Sequence, residues 1–251
     1  MLTKDIAICI RAIDYSETSQ IVTFFTRVTG KINAIAKGSK RPKSASDGPI
    51  EIFSSGSVVF SGTDREKLAT LTEFEQEPTL WGLQNNLFAL NCCLFAAELL
   101  NNMTKDYDPH SQLFDNFLQF LQHINEHQAS SIEHRKILAL LILFQLSLLR
   151  EVGLMPVLDS CVNCKTRYEQ RATSNEFYFS SAANGLICMD CEANFPDKIS
   201  LSKNAAACLA NLKLLAESQE KTLNEVEKIL IYHFTELLGH KTKMAKHILK
   251  N

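Results

Sequence analysis

Four of the chain's eight cysteines stand in two C-x-x-C pairs, Cys161-Val162-Asn163-Cys164 and Cys188-Met189-Asp190-Cys191, with 23 residues between them. A C-x-x-C turn aims two thiolates at one centre, and two such turns supply the tetrahedral sulfur cage of a structural zinc site. Four thiolates fill the coordination sphere and leave no position for water or substrate. Cys161, Cys164, Cys188 and Cys191 are therefore expected to hold one structural zinc ion per chain, not a catalytic metal. A redox dithiol is the competing chemistry, but it needs a single pair in a strand-to-helix setting. Cys9, Cys92, Cys93 and Cys208 lie in apolar runs and read as small core residues, which points to a reducing, cytoplasmic compartment.

The second group of residues is cationic. The formal net charge of the 251 residues is only −2, yet Arg27 to Ser46 holds six basic residues and no acidic one. Four more lysines, Lys241, Lys243, Lys246 and Lys250, follow Gly239 without an acid, while carboxylates gather in Glu73-Phe74-Glu75-Gln76-Glu77. Charge partitioned in this way suggests a polyanion-binding face on a near-neutral protein. Its densest stretch is Lys37-Gly38-Ser39-Lys40-Arg41-Pro42-Lys43, where glycine permits close backbone approach and each cation can neutralise a phosphate. A solvated loop that protects a sheet edge is the plainer alternative. Phe24, Phe25, Phe53 and Phe60 could stack on bases, but alternation makes core the better assignment for each. His123 and His127 flank Glu126 in the wrong order for a metalloprotease, and no phosphate loop, dinucleotide fingerprint or nucleophile elbow is present. Nothing in the chain supports an enzyme.

The elements that must position these groups change character once. Up to about residue 77 apolar residues alternate with period two, as in Ile6, Ile8 and Ile10, then Ile21, Thr23 and Phe25, then Ile32, Ala34 and Ala36. With runs at Ile50 to Phe60, where Gly56 suggests a bulge, and at Lys67 to Phe74, five short strands result. They suit a small closed barrel of the oligonucleotide-binding (OB) type. After Pro78 the period becomes helical. Expected helices run from Trp81 to Met103, from the Ser111 cap through Ile124, from the Ser130/Glu133 capping box through Leu149, over Ser202 to Glu217, and from the Thr222/Glu225 capping box to Gly239. The fold class expected is multi-domain α+β. Residues 1–78 form an OB-fold barrel, and residues 79–251 form an all-α bundle with a four-cysteine zinc knuckle inserted at about 159–196. The apolar run from Ile137 to Leu149 is too short for a membrane span, and no signal peptide is read at the N-terminus.

The order and spacing of several segments resemble the RecO family of bacterial recombination mediators. Tyr15-Ser16-Glu17-Thr18-Ser19 with Ile21 to Thr26 is similar to its opening turn and strand. Gly30-Lys31 and Ala36 to Ser44 are similar to its basic barrel segment. Leu149 to Pro156 with Leu158, Asp159 and Cys161, then Phe179-Ser180, Asn184-Gly185-Leu186 and Cys188, resemble its zinc region, and Leu237 to Lys243 its closing basic stretch. Lys165 and Glu192 stand where zinc knuckles commonly carry glycine. The resemblance implies binding of single- and double-stranded DNA, annealing of complementary strands, and help in loading RecA onto DNA coated with single-strand-binding protein. It implies RecR and the C-terminal tail of single-strand-binding protein as partners, RecA indirectly, no membrane, and a cytoplasmic, nucleoid-associated location. Candidate phosphate contacts are Arg27, Lys31, Lys37, Lys40, Arg41 and Lys43, with Lys241 and Lys243 as a second site. The alternative function is a protein-binding adaptor that docks single-strand-binding protein or RecR through its helical domain, with DNA contact secondary.

Overall fold

A computed structural model of the chain describes residues 2–41, 44, 46, 48–62, 68–77, 86–126, 134–168 and 176–249. Lys43, the expected helix start at Trp81, His127, the Ser130/Glu133 capping box and Lys250 lie outside them. Two compact units are present: residues 1–87 with 97–129, and residues 88–96 with 130–251.

In the first unit β1 (Leu2–Asp14), β2 (Gln20–Thr26), β3 (Gly30–Ala36), β4 (Ser55–Ser61) and β5 (Ala69–Gln76) close into a barrel in the order β1-β2-β3-β5-β4. β1 closes it on β4, and the parallel pairing Ala34↔Ala69 and Ile35↔Thr70 joins β3 to β5. Alternation sends Ala7, Cys9, Val22, Phe24, Ile32, Ala34, Val58, Phe60 and Phe74 inward. Phe24 and Phe74 meet there with ring centroids 4.9 Å apart. β2 is buried on its other face too, because α2 (Ser111–Glu126) lies over it and sets Phe114 6.1 Å from Phe25. Phe24, Phe25, Phe53 and Phe60 are all buried, as core residues should be. Gly56 does not form a bulge: the register shifts fall at Cys9/Arg11 and Val59/Phe60. Instead a Cβ on Gly56 would stand 2.0 Å from the Glu75 carbonyl oxygen, so the glycine allows β4 and β5 to approach.

The end of α1 (Leu87–Met103) is held by the barrel's β3. Lys31 Nζ donates to the carbonyls of Asn101 (2.7 Å) and Thr104 (2.8 Å) and pairs with Asp106 at 3.3 Å. A helix leaves its last carbonyls without partners and carries partial negative charge there, so a buried ammonium satisfies both needs. Beside it Gly30, with φ +85°, would place a Cβ 2.3 Å from the Asp108 carbonyl oxygen. Only glycine fits.

The second unit contains α3 (His134–Glu151), α4 (Lys203–Ala210) and α5 (Glu220–Leu238), and a three-stranded antiparallel sheet in the order β7-β6-β8. The strands are β6 (Glu176–Ser180), β7 (Gly185–Cys188) and β8 (Ile199–Ser202). Sequence periodicity missed this sheet because its strands are only four or five residues long. The capping residues also divide differently. α5 starts at Glu220, and Glu225 accepts from the Ser202 amide and hydroxyl, both at 2.6 Å, while Ser202 caps α4 by accepting from the Ala205 amide. Asn211 ends α4, and a 3-10 turn covers Leu212–Ala216, where one longer helix was expected. Gly239 closes α5 with φ +71°, the left-handed position a C-cap requires. No helix among the described residues is long and apolar enough to cross a membrane.

Candidate metal centre and nucleic-acid interface

The sheet of the second unit brings the four cysteines together. Cys161 and Cys164 lie on the turn after Val157, and that segment is stitched to β7 by Val157 with Asn184 and Leu186, and by the Val162 amide on the Leu186 carbonyl (2.9 Å). Gly185 carries no Cβ because one would stand 2.5 Å from the Val157 carbonyl oxygen. Cys188 ends β7, and Cys191 sits in a 3-10 turn over Met189–Asn194. The four sulfurs lie within 4.8 Å of one another. Cys164 Sγ and Cys188 Sγ are 3.7 Å apart, close to the edge of about 3.8 Å that a Zn–S tetrahedron requires.

The glycines absent after each C-x-x-C are accounted for. Lys165 adopts the left-handed φ of +60° itself, with its amide on the Cys161 carbonyl at 3.0 Å. Glu192 needs no such turn, since it continues the 3-10 helix. The sulfurs also have polar company: Asn163 Nδ2 donates to Cys191 Sγ (3.3 Å), the Cys188 amide to Cys161 Sγ (3.5 Å), and the Thr166 hydroxyl lies 3.3 Å from Cys164 Sγ. The Thr166 hydroxyl and amide hold the Cys164 thiol down to about 6, whereas burial pushes Cys188 up to about 12. A divalent metal supplies the positive charge that makes four thiolates tolerable in one place, and second-sphere donors orient them. Cys161, Cys188 and Cys191 are buried and Cys164 is exposed. The donor set fits zinc. A fully protein-ligated ion of this kind organises structure and offers no open coordination site.

The structure sorts the barrel's cations into two kinds. Lys31 is buried on carbonyl oxygens, as described above. Arg27 is exposed but forms a bidentate pair with Asp115 of α2, Nε to Oδ1 at 3.0 Å and Nη2 to Oδ2 at 2.9 Å. Lys37, Lys40 and Arg41 instead lie on one loop beyond β3. Gly38, at φ +71°, and the Arg41 amide on the Gly38 carbonyl (3.0 Å) make a turn, and the Arg41 side chain runs past Gly38.

That loop is fixed to the β1–β2 turn by contacts that spacing alone does not reveal. The Gly38 amide donates to Ser19 Oγ (3.2 Å), Ser39 Oγ to Gln20 Oε1 (2.9 Å), and the Lys40 amide to the Thr18 carbonyl (3.1 Å). Lys40 Nζ reaches Asp14 at 2.7 Å. Buried Gln20 also accepts from the Ile50 amide, so one side chain holds both ends of the loop. Lys37 and Arg41 remain exposed. Lys241 and Lys243 are exposed in the second unit, beyond Gly239. They and the barrel loop stand in different units.

Comparison with known proteins gives the geometry a family. Residues 1–77 match the family model described as recombination protein O N terminal, and residues 84–245 the one described as recombination protein O C terminal. A relative from Bacillus pumilus, named DNA repair protein RecO, is 30% identical over 253 residues, covering 98% of this chain and 93% of the relative. Proteins of the same name from Alkaliphilus metalliredigens and Listeria monocytogenes are 32% and 30% identical, covering 92% and 80% of this chain and 86% and 73% of their own. Barrel, helices and sulfur cage fall within these matches, and the chain belongs to the RecO family of DNA repair proteins.

Proposed function

We propose that the chain is a DNA-binding recombination mediator, not an enzyme. It binds single- and double-stranded DNA, anneals complementary strands, and helps load RecA onto DNA coated with single-strand-binding protein. The observation that carries this reading is the loop Lys37–Arg41, whose Lys37 and Arg41 are exposed on a segment already fixed by four hydrogen bonds and by the Lys40–Asp14 ion pair. A preformed cationic loop binds phosphates with little further ordering, and phosphate contacts are indifferent to sequence. Such contacts lower the repulsion between two strands while they search for register. Lys37, Lys40 and Arg41, with Lys43, form the primary phosphate site, and Lys241 and Lys243 a second. Arg27 and Lys31 stand at the other end of β2 and β3, where Asp115 and the end of α1 engage them, and they are the weaker phosphate candidates.

Residues 1–78 act as the nucleic-acid-binding domain, and residues 79–251 as the helical domain with the knuckle at about 159–196. One structural zinc ion holds Cys161, Cys164, Cys188 and Cys191. RecR and the C-terminal tail of single-strand-binding protein are the proposed protein partners, RecA is served indirectly, and the setting is the cytoplasm, on the nucleoid. The test is annealing of two complementary oligonucleotides, bare and coated with single-strand-binding protein, across a salt series. Salt-sensitive acceleration on both substrates supports the mediator. No acceleration together with tight binding of the single-strand-binding protein tail makes the chain an adaptor instead.

A further inference from the structure

The phosphate loop alone does not distinguish a single strand from a duplex; bases must be touched for that. Every phenylalanine that could have served is buried in the barrel. Tyr15 is not. The residue is 63% exposed at the start of the β1–β2 turn, where its amide donates to the Ser19 carbonyl at 3.0 Å. No hydrogen bond or ring contact within the described residues engages its side chain. It adjoins Asp14, the carboxylate that holds Lys40, and it shares its turn with Thr18 and Ser19, which hold the backbone of the cationic loop.

The surface next to it is built to match. Ile13, Ile21 and Ile35 are directly paired across β1, β2 and β3. They face away from the barrel core, to which Val22, Ala34 and Ala36 belong. Ile13 is 42% exposed and the other two are half-buried, giving an apolar row about 10 Å across on the outside of the sheet. Arg11, exposed two residues before Ile13, joins Lys37, Lys40 and Arg41 around this row; Asp14 and Glu17 are the opposing acids. An aromatic ring and an apolar row bordered by net positive charge complement one ligand, a single nucleic-acid strand with bases on the apolar surface and phosphates on the cations.

We propose that Tyr15 is a base-stacking residue of this chain and that it gives the cationic loop a preference for single strands over duplex. The proposal rests on the phosphate reading of that loop. Base–aromatic stacking of about 1–3 kcal/mol converts to a loss of roughly 5- to 150-fold when the ring is removed. The experiment measures the dissociation constants of the full chain for an oligo-dT of about 16 nucleotides, an abasic strand of equal length, and a duplex of equal length. The chains compared are the parent, Tyr15→Ala, Tyr15→Phe and the double charge reversal Lys37→Glu/Arg41→Glu.

Tyr15→Ala should lose that factor on oligo-dT alone, keep its affinity for the abasic strand and the duplex, and be matched to the parent by Tyr15→Phe. Unchanged oligo-dT affinity in Tyr15→Ala would overturn the stacking role, and if the charge reversal still weakened all three ligands the phosphate reading would survive. An equal loss on the abasic strand would also overturn it, making Tyr15 a support for the loop. If the charge reversal changed nothing, the phosphate reading itself would fall, whatever Tyr15→Ala did. An exposed turn residue leaves the fold intact, which an unchanged thermal transition verifies.

Discussion

Lys31 and Glu227 are charged residues taken out of water for opposite reasons. For Lys31, two helix-end carbonyls and Asp106 replace the hydration lost on burial. Replacing it with methionine should destabilise the first unit by about 3 kcal/mol, two charge-assisted bonds at about 1.5 each. Chemical denaturation would read this, and the affinity of the folded fraction for DNA should stay within twofold. A comparable loss of affinity without a loss of stability would make Lys31 a phosphate contact after all. Strand alternation correctly put Lys31 on the face of Asn33 and Lys37. It could not tell that the end of a helix some 70 residues later would cover that part of the face and leave Lys37 in water. Glu227 gives up its charge instead. It is fully buried, its Oε1 accepts from Gln145 Nε2 at 2.7 Å, and burial pushes its pKa up to about 8. Among the described residues Glu227 Oε2 has no hydrogen-bond partner, and a buried oxygen left so is less costly on a neutral carboxyl than on a carboxylate. The sign of the pH dependence follows. Between the ordinary 4.5 and about 8 the unfolded chain releases a proton that the folded chain keeps, so stability falls as pH rises. Glu227→Gln removes that dependence, and at pH about 8 it should be the more stable by up to about 4 kcal/mol, with the gap closing near pH 5. Thermal melts of both proteins across this range check the sign, and a gap that widens toward acid would refute it.

The four-cysteine cluster shows, at the scale of the element, what spacing can and cannot say. Two C-x-x-C pairs are local objects, and each turn points its thiols by itself, so the gathering of the four sulfurs was legible in the sequence. Their support was not. The cage depends on a three-stranded sheet whose strands are too short to show a period, and on Lys165 accepting a backbone conformation usually left to glycine. Asn184-Gly185 was legible as a turn, but the reason for the glycine is the Val157 carbonyl that crosses it. A metal on the four sulfurs would tie the Cys161–Cys164 turn to Cys188 and Cys191, so its removal should loosen the second unit. Cys188→Ser, or a strong chelator, should release one zinc ion per chain and lower the melting transition by on the order of 10 °C, the shift that about 4 kcal/mol produces. DNA affinity per folded molecule should be unaffected, because the barrel belongs to the other unit. Metal analysis with calorimetry decides: a metal-free variant of full stability would rule out the structural role.

For the whole molecule the difficulty is net charge. A chain of −2 is not drawn to DNA by its total, so attraction has to be local and short in reach, and it must weaken steeply with salt. The exposed carboxylates Glu73 and Glu75 of β5 keep the rest of the barrel unattractive to phosphate. On the proposed reading the four cations of the primary site, Lys37, Lys40, Arg41 and Lys43, set a slope of about −2.8 for the logarithm of the binding constant against the logarithm of salt, at roughly −0.7 for each phosphate of a single strand. Arg41→Gln should bring that slope to about −2.1. The lysines beyond Gly239 stand in the other unit, and the proposal that they form a site of their own predicts a different phenotype. Annealing needs two strands held at once, so one cationic site is insufficient for it even when it is sufficient for binding. Removing both charges, Lys241→Gln with Lys243→Gln, should leave the affinity and salt slope for a short single strand as they are while slowing annealing several-fold. A parallel loss of both would mean that the two sites act as one, and an unaltered annealing rate would leave the second site without a role.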